Sequence, residues 1–163
     1  MFFSNGLKPY HKLSNFVYIE QGITYKGLRY CSVEHAFQAQ KYITKQRIQF
    51  SVDGDLGNSN TGFKLVFGDD YVKKRNYWMK KDNIGIIAKM ATNIKVGKKL
   101  GLIRKENFVS TDDLWIKLLT KKYKISEFRD ILLSTENKYL LEFDRGAKRN
   151  NPIWSGIIEN NVL

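Results

Sequence analysis

The stretch YCSVEHAFQAQK, Tyr30 to Lys41, decides how this chain is read, because it sets Glu34, Gln38 and Lys41 at i, i+4 and i+7. On a helix that spacing puts all three side chains on one narrow face. At about 100° per residue, with Glu34 as zero, Gln38 falls at roughly 40° and Lys41 at roughly 340°. Val33, Ala36, Phe37, Ala39 and Ile43 fill the arc from roughly 140° to 300° on the same wheel. The polar stripe thus borders the apolar arc instead of opposing it, as the wall of a pocket would. Ser32 supplies an N-cap, which predicts a helix over 33–49. Glu34 then sits in the first turn, where the helix dipole favours an ionised carboxylate.

Upstream, FVYIEQGITYKGLRY has short β-branched and aromatic runs punctuated by Gly22 and Gly27, predicting a small antiparallel hairpin near 16–31. Downstream, SVDGDLGNSNTG reads as a loop. Two motif look-alikes fall there. Asp53 and Asp55 begin like a calcium loop, but Gly57, Asn58 and Lys64 occupy positions that need other residues. Gly57 and Gly62 have phosphate-loop spacing, but Phe63, Lys64 and Leu65 follow in place of Lys-Ser or Lys-Thr.

Residues 71–107 read as mostly helical and very basic, with YVKKRNYWMKK and KVGKKLG. Aromatics among lysines suit stacking on bases and contact with phosphates. An amphipathic helix with Tyr71, Tyr77 and Trp78 turned to the core explains them equally well. STDDLWIKLLTKKY has capping residues, acids in its first turn and lysines in its last, and SEFRDILLST predicts a second helix over 126–134. A strand is expected at 139–143. The fold class is α+β, mainly helical, as one domain over 1–163 with a small N-terminal antiparallel hairpin.

A chain of 163 residues with 42% hydrophobic content can bury a core. Cys31 is the single cysteine, so an intrachain disulfide is excluded, and with two histidines a structural zinc site is not expected. No apolar run has the length of a membrane span and no leader is apparent, so the expected location is the cytoplasm. The formal charge of +12 favours a polyanionic partner, although a coding bias that places Lys over Arg three to one gives the same excess.

A carboxylate beside a cationic or amide donor is what N-glycosidic cleavage needs: the ribose becomes oxocarbenium-like while the departing base takes a proton. Glu34, Gln38 and Lys41 have that chemistry, and equally that of a solvated ion pair. A second cluster, Glu142, Asp144, Arg145 and Trp154, offers acids, a phosphate clamp and a stacking ring, or an ordinary turn. LSNF, Leu13 to Phe16, offers short polar groups before the hairpin.

In this order, LSNF, the hairpin, YCSVEHAFQAQK, KKY, LLSTENKYLLE and PIWSG resemble the NADAR (YbiA-like) superfamily over about residues 13–43 and 114–156. The resemblance implies N-glycoside hydrolysis without a cofactor or metal. It implies a substrate of ADP-ribosylated guanine in DNA or RNA, or a riboflavin-pathway ribosylaminopyrimidine phosphate. Glu34 and Lys41 take the catalytic positions. Ser14, Asn15, Phe16, Tyr30, Gln38, Tyr123, Glu142, Arg145 and Trp154 are the expected substrate contacts. The family's Asp-x-x-Trp-Gly block has Asn151 and Ser155 here, so Asp144 is assigned the acid's part. Members of that family usually continue past the position of Leu163 through a Gly/Asn-rich segment and a final helix, so a natural short form or a truncated one is expected. Within this frame Glu34 orients water or stabilises the oxocarbenium-like state, and Lys41 donates to the ring oxygen or leaving group, with a transient Schiff base as a variant. Arg145 grips phosphate, and Trp154 or Tyr123 forms a stacking wall. A non-catalytic binder of ADP-ribose or nucleic acid is the rival from another class. Oligomeric state is not legible.

Overall fold

A computed structural model describes residues 2–3, 10–137 and 140–142. The hairpin forms where β-branched and aromatic residues flank Lys26-Gly27: β2, Ile23–Tyr25, pairs antiparallel with β3, Leu28–Tyr30. Both turn residues have positive φ (49° and 79°), the backbone twist that a two-residue hairpin of this kind requires. A second pair is parallel, joining β1, Phe2–Phe3, to β4, Leu141–Glu142. The expected strand at 139–143 is therefore seen as Leu141–Glu142.

The helix after Ser32 is shorter than expected. Helix α1 runs Val33–Ala39, and Thr44–Phe50 forms a separate 3-10 helix. The cause lies outside the local sequence. Residues 41–43 are captured by the segment 103–105: Ile43 N donates to Ile103 O (3.3 Å), Lys105 N donates to Lys41 O (2.8 Å), and Tyr42 bridges Arg104. Those bonds hold Ile43 extended (ψ 152°) and end the helix.

The presumed loop at 51–62 contains more structure than its composition suggested. A 3-10 turn at Asp55–Gly57 is followed by α2, Ser59–Phe67, capped by Asn58, whose Oδ1 accepts from Asn60 N and Thr61 N. The basic middle divides into α3, Tyr71–Met79, α4, Ile86–Ala91, and α5, Ile94–Lys99. On α3, Tyr71 and Trp78 pack against the core, whereas Tyr77 is 52% exposed. Helix α6, Asp112–Tyr123, is capped by Thr111, one of the two candidates Ser110 and Thr111, and α7 spans Ser126–Leu133.

The described residues are thus mostly helical with a small antiparallel hairpin. Helix α1 lies at their centre, buried on every side, packed by α4, α6 and the hairpin. Tyr30, Val33, Phe50, Phe63, Ile87 and Leu118 are among the fully buried apolar residues around it. Among the described residues no helix is long and apolar enough to cross a membrane.

Candidate functional site

The site is built on the start of α1. Ser32 is extended (φ −158°, ψ 161°) and its Oγ accepts from His35 N (3.1 Å), which closes the first turn and leaves Glu34 at the second helical position. The Leu13–Phe16 turn packs directly against it. Three successive carbonyls of that turn are taken by three different elements. Ser14 O accepts from Lys122 Nζ of α6 (2.7 Å), Asn15 O from Glu34 N of α1 (2.9 Å), and Phe16 O from Gly85 N at the start of α4 (2.9 Å). Ser14 Oγ accepts from Phe16 N (3.2 Å) and completes the turn. A Cβ on Gly85 would lie 2.6 Å from Phe16 Cα and 3.0 Å from Glu34 Cβ, so only glycine lets these segments approach this closely.

Glu34 is 4% exposed, and its Oε1 accepts from Gln38 Nε2 at 2.6 Å. Burial holds its carboxyl above the usual range, opposed by the Gln38 bond and the positive charges of Lys89 and Lys41. The expectation of a dipole-stabilised, readily ionised Glu34 is therefore corrected. A helix dipole contributes about 0.3–1 kcal/mol, whereas removing a carboxylate from water costs several kcal/mol. The side-chain amide oxygen of Gln38, Oε1, is buried with no hydrogen-bond partner.

Lys41 is half-buried at the edge of this pair. Its Nζ sits 5.0 Å from the Phe37 ring centroid and 6.0 Å from that of Phe108. Phe37 stacks on Trp115 (4.0 Å, 20°) and meets Phe108 edge-on (6.0 Å, 74°). Burial and Arg104 push the Lys41 ammonium down, while Glu34 and Lys89 act on it with opposite signs. Glu34 and Lys41 make no direct ion pair within 4 Å, so the solvated salt bridge is not what forms.

The expected residues are gathered unequally. Ser14, Asn15, Phe16, Glu34, Gln38 and Lys41 meet in one region. Tyr123 lies at its border, half-buried, with its hydroxyl 3.5 Å from Leu13 O and pushed up to about 12 by burial. Tyr30 does not join them. Its side chain is fully buried in the core with its hydroxyl beside the Gln40 amide, apart from the other expected contacts. Only the backbone of Glu142 is described, and Asp144, Arg145 and Trp154 lie outside the described residues.

Lys122, Gly85, Lys89 and Arg104 were not singled out from the sequence. For Lys122 a signal existed: it continues the spacing of Leu114 and Leu118, the buried stripe of α6, and is itself fully buried with its Nζ 5.1 Å from the Phe128 ring. Lys89 and Arg104 are indistinguishable in sequence from the other surface cations. Two shallow depressions of about 460 and 410 Å³ lie elsewhere, the first along Lys26 and α6, the second along Asp53–Leu56. Among the described residues no group of three or more His, Cys, Asp or Glu gathers as metal ligands. No protein-family model, curated protein or solved structure matches the chain.

Proposed function

We propose that the chain is an N-glycoside hydrolase of the NADAR type, cleaving the C1′–N bond between a phosphorylated ribose and a base. The substrate class proposed is ADP-ribosylated guanine in nucleic acid, with ADP-ribose released in a reducing, cytoplasmic setting. The observation that carries this is Glu34: a buried carboxyl with a raised proton affinity, held by Gln38 and faced by lysines. The same residues carry the family resemblance.

In the proposed reaction the C1′–N bond breaks and its electron pair leaves on the base nitrogen, which takes a proton from Lys41. Water adds to C1′ and gives its proton to Glu34. A raised carboxyl is the stronger base and a lowered ammonium the stronger acid, so burial shifts each group toward its proposed task. Gln38 serves both states of Glu34: its amide donates to the carboxylate, and a half-turn of the same amide accepts from the acid. The pH profile of kcat/KM should fall on the acid side as Glu34 takes its proton.

The charge of +12 favours a nucleic-acid-linked substrate over the free riboflavin-pathway glycoside. The rival, a non-catalytic binder, draws on α3, where Tyr77 is exposed with Lys81 Nζ 4.3 Å from its ring centroid and Lys73 and Lys74 beside it. One assay separates the two. Wild type and Glu34→Gln are incubated with an oligonucleotide carrying ADP-ribosyl guanine, and the products are weighed by mass spectrometry. Free ADP-ribose from wild type, reduced by about 10²–10⁴-fold in the variant, is expected of a general base. Retention of the oligonucleotide by both proteins without release would replace the hydrolase with the binder.

A further inference from the structure

We propose that Lys41, Lys89 and Arg104 form a diphosphate subsite beside Glu34, with the Phe37–Phe108 pair as its apolar wall. The subsite rests on the hydrolase reading for its choice of ligand, but its geometry stands apart from it.

Three separate segments deliver the three cations. Lys41 follows α1. Arg104 is set next to it by the bridge to Tyr42 and by the bonds of Lys105 N to Lys41 O (2.8 Å) and Lys105 Nζ to Gln40 O (2.8 Å). Lys89 is one turn along α4 from Gly85, the residue packed against Glu34 and Phe16. Helical Cβ bonds tilt toward the N-terminus, so the Lys89 Cβ is directed back along α4 toward the turn that holds Gly85. In keeping with this, Lys89 acts electrostatically on both Glu34 and Lys41, and Arg104 acts on Lys41.

The charges are unbalanced. Glu34 is the acid that acts on Lys41, and none of the three cations has an ion-pair partner within 4 Å among the described residues. Like charges brought together without an acid are unfavourable until an anion arrives. Lys89 and Arg104 are exposed and Lys41 is half-buried, so the group is open to solute on one side and desolvated on the other. Two lysine point charges and one arginine fork suit the several oxygens of a diphosphate better than a single carboxylate. The half-buried Phe108 ring gives the adjoining sugar or base an apolar surface.

The test is calorimetric titration of the full chain with inorganic pyrophosphate and, separately, with ADP-ribose. Lys89→Met and Arg104→Met should each weaken both ligands by roughly tenfold or more, as loss of a charge-assisted contact does. Lys98→Met, which removes an equally exposed lysine on α5, should stay within about twofold of wild type, the small change expected from screened charge alone. Glu34→Gln should bind pyrophosphate at least as well, because a repelling carboxylate is gone. Equal weakening by Lys98→Met and the two subsite variants would overturn the subsite in favour of diffuse charge. Unchanged binding in Lys89→Met and Arg104→Met would overturn it outright, even with ADP-ribose release intact. Selective loss of pyrophosphate binding in a protein that releases no ADP-ribose would keep the subsite and remove the hydrolase.

Discussion

Glu34 and His35 are neighbours on α1, both titratable and both buried, and they end in opposite conditions. His35 is fully satisfied. Its Nε2–H donates to Leu56 O (2.9 Å), and its Nδ1 accepts from the Ser32 hydroxyl (2.8 Å), whose oxygen in turn accepts from His35 N. Burial holds the imidazole down to about 4, so it is neutral and fixed in one tautomer. Cys31 beside it is a thiol pushed up to about 12. On the other side of the helix, Glu34 has its Gln38 bond, an unpartnered Gln38 oxygen nearby, and cations that act on it without pairing. Burial is common to both faces and does not distinguish a site. The hydrogen bonds differ: the His35 ring is completed by protein partners, whereas beside Glu34 the Gln38 side-chain oxygen has none.

That contrast predicts where damage falls. Ser32→Ala removes both a helix cap and the donor to His35 Nδ1, costing about 2–4 kcal/mol as the sum of a lost cap and an unpaired buried acceptor. Urea unfolding measures this, and turnover per folded molecule should be unchanged. A loss of turnover with little loss of stability would dissolve the distinction between the faces.

The His35 face should also govern acid sensitivity. A histidine held low in the folded state binds fewer protons than in the unfolded chain, so its contribution is present above about 6.5 and lost as pH falls toward 4. About 3 kcal/mol should disappear across that window. Urea midpoints at pH 7 and pH 4.5 test the sign, and a midpoint that rises with acid would refute it.

Gly85→Ala probes the seam between α4, Phe16 and Glu34. The added Cβ meets backbone, so about 1–3 kcal/mol of overpacking is expected, together with reduced turnover as Glu34 shifts. The smallest effect belongs to Tyr30→Phe. Its hydroxyl is buried beside the Gln40 amide, so removal should change stability by at most about 1.5 kcal/mol and leave KM alone. A raised KM would return Tyr30 to the site.

What the sequence made legible was local. Gly27 announced the hairpin turn, Ser32 and the Ser110–Thr111 pair announced caps, and the acids and lysines of α6 announced its ends, because each acts within a few residues. The end of α1 was misread since the bonds that stop it come from residues 103–105. The direction in which Glu34 titrates was misread for a similar reason: its position on the helix is local, but its burial is made by α4 and the Leu13–Phe16 turn. Asn58 hid a helix start inside a stretch rich in Gly, Asp and Ser, where composition argued for a loop. The site residues that share one helix were found together. Lys89 and Arg104 were not, since only the fold selects two cations from 28.

The most direct measurement follows stability and turnover of Glu34→Gln on one preparation at pH 8. A carboxyl raised in the folded state contributes stability below its ordinary range and loses it as pH rises through the raised value. Glu34→Gln removes this pH-dependent loss, so the variant lacks a penalty that wild type carries at pH 8. The account predicts a urea midpoint equal to or above wild type, with kcat/KM lower by about 10²–10⁴-fold. A lower midpoint with turnover within a few fold of wild type would make Glu34 a structural residue and contradict the account.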